Sequence, residues 1–345
     1  MACWWTIPPT PSTGPISNRS ANAPRAAATG GCWRPASCWT SPPPWPRPLP
    51  LAASTPPGPP SLEQERGELE ATADLREWLL APQANWLRSL GLRPREWADS
   101  LDDLEPLSLD ERSRAALLRQ ALSDPGAASL DAPETWLERH RGTGLLPPLA
   151  AGRLEAGGLS RRWHSLHTTL ENLGPERRAL AQWQGWQQEL LWRGSALVVL
   201  HPARPRSRQR LELWLALLLA AATDQAPSAA VLVARGERDF GVELRLVPPD
   251  GATARQELER LAELREAWRQ RCWPVPPETG WALVEKGADQ AIETWEGTER
   301  SRGERQEPEQ ALCFGTELSG SALLASGEVA AQAEILLGPL REQLP

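Results

Sequence analysis

The chain has 345 residues, which is enough for one large domain or two smaller ones. Its 44 acidic and 37 basic residues give a formal net charge of −7, which argues against non-specific coating of DNA and limits nucleic-acid contact to local arginine clusters. Lys286 is the only lysine and no G-x-x-x-x-G-K-[ST] motif is present, which excludes a P-loop ATPase.

Residues 1–60 differ from the rest of the chain. They contain 16 of the 35 prolines, four arginines and no acidic residue, and they have neither strand nor helix periodicity. We predict a disordered Pro-rich leader here, with a mis-started or frame-shifted segment as the alternative. The domain is expected over residues 61–345, with a mainly helical part at 61–190 and a sheet-containing part at 191–345.

The helical part is predicted to open with two helices that meet at Pro82, within Asp74–Leu92. A third helix, Pro106–Leu122, is expected to begin with a capping box of Ser108 and Glu111. A short helix follows in the stretch APETWLERHRGTGLLPPL, and a longer amphipathic helix is expected over much of Leu159–Leu173.

The pattern then changes to strands mixed with helices, in the following predicted order. Two strands are predicted around a break at Gly194, in WQGWQQELLWRG and SALVVLHP, and a helix follows at Arg206–Ala222. A hairpin is predicted next, with strands at Val231–Val233 and Phe240–Val247 and its turn at Arg235–Asp239. The last predicted elements are a helix at Thr253–Trp273 and a terminal helix near Glu328–Leu337.

Metal-site and membrane signals are weak. His164 and His167 have a helical spacing that could hold a metal, but a core or surface pair is the commoner arrangement. Cys272 and Cys313 stand apart without a C-x-x-C pair, so neither a zinc ribbon nor a disulfide framework is expected. The longest apolar run, Leu211–Ala222, is too short to span a bilayer, so a soluble, cytoplasmic protein without membrane contact is expected.

Three stretches together resemble one protein family. The helix pair with Leu75, Trp78 and Pro82 is similar to the pair that opens RecB-like nuclease-fold domains. The second stretch is Ala196–Leu215. The third, Pro276–Gly315, carries Gly280, Trp281, Trp295–Gly297 and Gly303–Glu304 in a recognisable order. From about Ser61 to Pro345, the chain resembles the C-terminal domain family of RecC, the exodeoxyribonuclease V gamma subunit.

This resemblance implies an α/β fold, namely a degenerate restriction-endonuclease-like mixed sheet of the PD-(D/E)xK type, flanked by helices and preceded by a helical segment. It also implies a non-catalytic subunit of a RecBCD-type helicase and nuclease, acting in double-strand break repair and homologous recombination. The implied partners are RecB-like and RecD-like subunits and double-stranded DNA ends. ATP and magnesium would be bound by the partner subunits, with no cofactor in this chain.

The residues at the end of the nuclease-like strand argue against cleavage by this chain. The resemblance places the acidic position at or near Leu200 and the lysine position at or near Pro202. Neither side chain can ligate a metal or donate a proton, so no catalytic or metal-binding residue is predicted. An active but diverged metal-dependent nuclease and a non-functional truncated remnant remain open as alternatives.

Two arginine groups are the candidate DNA contacts. Arginine offers a fixed fork of donors that suits phosphate, and a helix start adds free backbone N–H groups. The first group follows the nuclease-like strand: Arg204, Arg206, Arg208 and Arg210. The second lies at the hairpin tip, Arg235 and Arg238, where Phe240 could stack on a base. The alternative for the first group is a solvated, subunit-facing turn, and the alternative for the hairpin tip is an ordinary mixed-charge turn.

Overall fold

The computed structural model describes residues 75–98, 107–124, 130–299 and 301–344. The predicted leader therefore lies outside the described residues. The helices that precede the sheet are α1 (Leu75–Leu80), α2 (Pro82–Ser89), α3 (Arg95–Ala98), α4 (Glu111–Leu122), α5 (Pro133–Arg139) and α6 (Leu149–Asn172).

A five-stranded mixed sheet forms the centre of the fold. Its strands lie in sequence order: β1 (Glu176–Trp183), β2 (Trp186–Arg193), β3 (Ala196–His201), β4 (Ala229–Arg235) and β5 (Phe240–Leu246). Only the β3–β4 pair is parallel, and α7 (Ser207–Ala222) makes the crossover between these two strands. The other neighbours are antiparallel.

The helices after the sheet are α8 (Gly251–Ala267), α9 (Pro277–Lys286), α10 (Ala288–Glu296), α11 (Pro308–Phe314), α12 (Gly320–Leu324) and α13 (Glu328–Glu342). A short ribbon, β6 (Gly297–Thr298) and β7 (Ser301–Arg302), follows α10. None of the described helices combines the length and apolar character that a bilayer crossing requires.

Two apolar cores lie on opposite faces of the sheet. Alternate residues of β3 and β4 divide between them: Leu197 and Leu232 pack with α7, whereas Val198 and Val231 pack with α4, α5 and α6. Helix α7 is apolar on nearly all sides because it lies between the sheet and the outer helices α1, α8, α9 and α13.

Several predicted elements are confirmed. Pro82 occupies the first turn of α2, where its missing N–H removes no intrahelical hydrogen bond. The β4–β5 hairpin forms with a bulge beside Leu232 and Val233. Gly194 has a φ of 58° in the β2–β3 connection, a conformation that glycine adopts at little cost.

Other boundaries differ from the predictions. The Asp110 carboxylate, not Ser108, caps α4 by accepting the Ser113 N–H at 2.7 Å. Helix α6 begins at Leu149, before the predicted start at Leu159. The sequence pattern missed these first turns because small residues such as Gly152 and Ala156 weaken their apolar period. The sheet begins with β1 at Glu176, ahead of the first predicted strand in WQGWQQELLWRG. The sequence pattern missed β1 because this strand is largely solvent-exposed and its arginines mask the alternation.

Cys272 and Cys313 do not stand apart in the fold. A hydrogen bond between the two free thiols raises the pKa of Cys272 and lowers the pKa of Cys313. The two residues come from the segment after α8 and from α11, so only the tertiary structure brings them together.

Candidate nucleic-acid interface

The segment between β3 and α7 carries the first group of candidate arginines. Strand β3 ends at His201, and the buried Pro202 anchors the chain before it turns outward. The helix begins at Ser207. We call Arg204–Arg210 the arginine turn. Its side chains at Arg204, Arg206 and Arg208 are exposed, whereas Arg210 is half-buried.

The four arginines have different electrostatic surroundings. Arg206 forms an ion pair with Glu307 at 3.1 Å. Arg210 lies 3.9 Å from the Glu285 carboxylate and stacks over the Trp281 ring, with its guanidinium 5.0 Å from the ring centroid. Arg204 and Arg208 have no ion-pair partner among the described residues. These two are therefore the most available for an external anion.

His201 lies beside the arginine turn and reports on its positive charge. Burial, followed by the charges of Arg119, Arg208 and Arg206, lowers the pKa of His201 to about 4. The imidazole is therefore neutral at physiological pH. The same observation places Arg119, an exposed residue of α4, near the turn. Sequence reasoning missed Arg119 because this residue lies on a separate helix, far from the turn along the chain.

The N-terminus of α7 is already occupied by a carboxylate. Glu278 accepts hydrogen bonds from the Ser207 N–H at 3.3 Å and from the Ser207 hydroxyl at 2.8 Å. Gln209 accepts the Arg206 N–H at 3.0 Å. The expectation that this helix start offers these N–H groups to phosphate is therefore wrong, and any phosphate would be held by the arginine side chains.

A second buried carboxylate supports this arrangement. Glu304 accepts hydrogen bonds from the backbone N–H groups of Glu278 and Thr279 at 2.9 and 2.7 Å, and from the Thr279 hydroxyl at 2.7 Å. Burial raises the pKa of Glu304 to about 7, against the opposing effect of these donors. Glu304 thus fixes the start of α9, and Glu278 on α9 fixes the start of α7. The Gly303–Glu304 motif has a structural role here.

The hairpin tip has fewer arginines available for DNA contact than the sequence suggested. Arg235 is hydrogen-bonded to Glu111, which also binds Arg114 and Arg162. The hydrogen bond from Arg162, with help from Arg114 and the Arg235 charge, lowers the pKa of Glu111 to about 2. Arg235 is therefore committed to an internal network with 18% of its side chain exposed, whereas Arg238 is exposed in the turn.

Phe240 cannot stack on a base in this conformation. Its ring is 6% exposed and belongs to the core between the sheet and α6. The Thr169 hydroxyl on α6 donates to the Phe240 carbonyl at 3.1 Å, and the Phe240 N–H donates to the Ser165 hydroxyl at 3.0 Å. Its place beside the hairpin tip suggested an accessible ring, but Phe240 is the first residue of β5 and its side chain points into the core.

The end of β3 does not suit magnesium. Leu200 packs against the core on the α6 face, and Pro202 is buried. Within the described residues, no group of three or more His, Cys, Asp or Glu side chains could hold a metal ion. His167 packs against Trp163, with ring centroids 4.4 Å apart, and His164 faces Asp131 at 3.5 Å.

The fold and this site define a mixed α/β domain whose five-stranded sheet is flanked by helices and whose third strand ends in a basic turn. The family model of the RecC C-terminal domain matches residues 70–288, and the chain belongs to this family. The matched range includes the arginine turn and the hairpin but ends before most of the Pro276–Gly315 stretch. Comparison with curated proteins gives no match.

Proposed function

We propose that this chain is a non-catalytic subunit of a RecBCD-type helicase and exodeoxyribonuclease V, which guides DNA and docks RecB-like and RecD-like subunits. Membership of the RecC C-terminal domain family is the observation that carries this proposal. In this proposal the five-stranded sheet is a degenerate restriction-endonuclease-like core. The complex acts at double-strand breaks and in homologous recombination, and its partner subunits bind ATP and magnesium.

The DNA-guiding role rests on the arginine turn. Arg204, Arg206 and Arg208 are exposed, Arg119 adds a nearby cation, and the neutral His201 does not contribute positive charge at pH 7. The domain is acidic outside such clusters, so phosphate contact needs a local concentration of guanidinium groups. Arg204 and Arg208 are expected to contribute most because Arg206 and Arg210 face Glu307 and Glu285.

The salt dependence of fork binding tests this role. The reconstituted complex is titrated with a forked DNA duplex over a range of salt concentrations, in the wild type and in a double variant with Arg204→Gln and Arg208→Gln. We expect weaker binding and a slope of log affinity against log salt that is smaller by up to about 1.8, at about 0.9 per lost phosphate contact.

The matched control replaces Arg153 and Arg161 with Gln. Both are exposed residues of α6 and lie outside the arginine turn. This control removes the same charge and should leave the slope unchanged. If the Arg204 and Arg208 variant assembles normally and its slope is unchanged, the arginine turn is solvent-exposed and does not contact DNA. Failure of assembly would instead assign it to a subunit interface.

A further inference from the structure

The sheet is split between β2 and β3. These strands pair only through Leu191–Val198, Trp192–Leu197 and Arg193–Ala196. In contrast, β1 pairs with β2 up to Trp183–Trp186, and β3 pairs with β4 up to His201–Ala234. Among the described residues, nothing pairs with the β3-facing edge of Trp186–Leu190 or with the β2-facing edge of Val199–His201.

A cleft of about 330 Å³ occupies the gap between these edges. Its sides come from both strands, and its far wall comes from α1 and α7. The lining includes Gln188, Leu190, Val199, Leu200, Arg76 and Glu212. The cleft therefore exposes two strand edges that face each other, flanked by apolar side chains.

The charges of the cleft suit neither a nucleic acid nor a cation. Arg76 is hydrogen-bonded to Glu212, and Glu189 forms an ion pair with Arg178 at 3.2 Å. The charged groups at the cleft are thus matched in pairs. A phosphodiester would find no free guanidinium to bind, and a metal ion would have to compete with arginine for each carboxylate.

The remaining hydrogen-bonding capacity matches a peptide group. Two buried polar atoms at the cleft have no partner among the described residues: the Gln188 side-chain oxygen and the Arg76 Nε–H. One is an acceptor and the other is a donor. A peptide unit brings one N–H and one C=O. The two open strand edges present unpaired backbone N–H and C=O groups, which the C=O and N–H groups of an added strand can pair with.

We propose that the cleft receives an extended peptide segment of a partner subunit, which adds a strand between β2 and β3. The proposal rests on the proposed function only for the source of the segment. Five residues of β2 and three of β3 are open, so at about 3.4 Å per residue the inserted strand spans roughly 10–17 Å. Because β2 and β3 are antiparallel, the strand runs parallel to one and antiparallel to the other. Its side chains alternate between the sheet face of Leu190 and the opposite face of Leu200.

Amide hydrogen exchange tests this proposal without DNA. The full chain is measured alone and after assembly with its RecB-like and RecD-like subunits. We expect those amides of Trp186–Leu190 and Val199–His201 that face the cleft to exchange at least tenfold more slowly in the assembly. Slow exchange in the free chain would overturn the proposal because the cleft would already be closed by this chain or by a second copy.

A steric variant provides the second measurement. Val199→Phe fills the cleft, and Val242→Phe makes the same change on β5, where the side chain is 40% exposed and away from the cleft. Val199→Phe should remove the protection and weaken assembly at least tenfold, with no such change in Val242→Phe. If Val199→Phe fails to fold, the wild-type exchange data decide.

The outcomes separate this inference from the proposed function. Assembly with unchanged exchange at both strands overturns the strand insertion and leaves the docking role intact. Absence of any assembly with the two subunits overturns both. Fork binding with its salt dependence is measured separately and depends on the arginine turn, so it is not affected by the result at the cleft.

Discussion

Replacing Glu304 with Gln tests whether burial or hydrogen bonding controls a carboxylate at the start of α9. Glu304 accepts from two backbone N–H groups and the Thr279 hydroxyl, all within 2.9 Å. A Gln side chain keeps one accepting oxygen and directs its NH₂ group at donors. The variant leaves a buried N–H without an acceptor, which costs about 1–3 kcal/mol. We expect this full cost at pH 5, where the wild-type carboxyl is protonated.

The pH dependence carries the sharper prediction. The folded pKa of Glu304 is about 7, above its usual 4.5. A raised folded pKa means that the native state binds the proton more tightly, so this stabilisation is complete below about pH 4.5 and is lost as the pH rises through 7. At about 1.4 kcal/mol per pH unit, the wild type should lose about 3 kcal/mol that Glu304→Gln does not lose.

Urea unfolding of the wild type and Glu304→Gln at pH 5, 6, 7 and 8 measures this difference. The destabilisation caused by the substitution should shrink as the pH rises and reach zero or change sign by pH 8. A destabilisation that grows toward pH 8 would refute the reasoning. It would mean that the three donors hold Glu304 as an anion and outweigh the cost of its burial.

Three further outcomes are expected. Leu217→Ala in the buried helix α7 should cost about 2–5 kcal/mol in chemical unfolding, whereas Leu180→Ala, at a position 61% exposed, should change stability by less than about 0.5 kcal/mol. Glu111→Gln should destabilise the chain at neutral pH, because a pKa lowered to about 2 stabilises the fold above about pH 4.5, and the difference should fade as pH drops toward 2. The purified chain should release no nucleotides from linear duplex DNA with magnesium, with or without ATP; metal-dependent release that survives repurification would contradict this.

The structure shows which of the candidate arginines are free to bind an external anion and which are paired within the chain. Arg204 and Arg208 are open to an external anion, Arg206 and Arg210 lie beside carboxylates, and Arg235 belongs to the Glu111 network. Charge alone could not separate these cases, because the partner carboxylates lie on distant parts of the chain. Arg119 was missed for the same reason, because it approaches His201 from a distant part of the chain.

Elements whose signals lie within a few residues of each other could be predicted from the sequence alone. Pro82 at a helix start, Gly194 between two strands, the β4–β5 turn and the apolar run of α7 all act within a few residues. Residue identity also predicts that Leu200 and Pro202 ligate no metal, because neither side chain has a donor atom.

Features that join residues far apart in the chain could be seen only in the folded structure. The Glu304–Glu278–Ser207 connection joins three segments, and the inward position of Phe240 depends on its packing against α6. The split between β2 and β3 is a further case, because strand propensity continues on both sides of the gap while the pairing stops at Leu191 and Val198. Local propensity fixes which residues form strands, but packing and long-range hydrogen bonds decide which edges are paired and which charges are free.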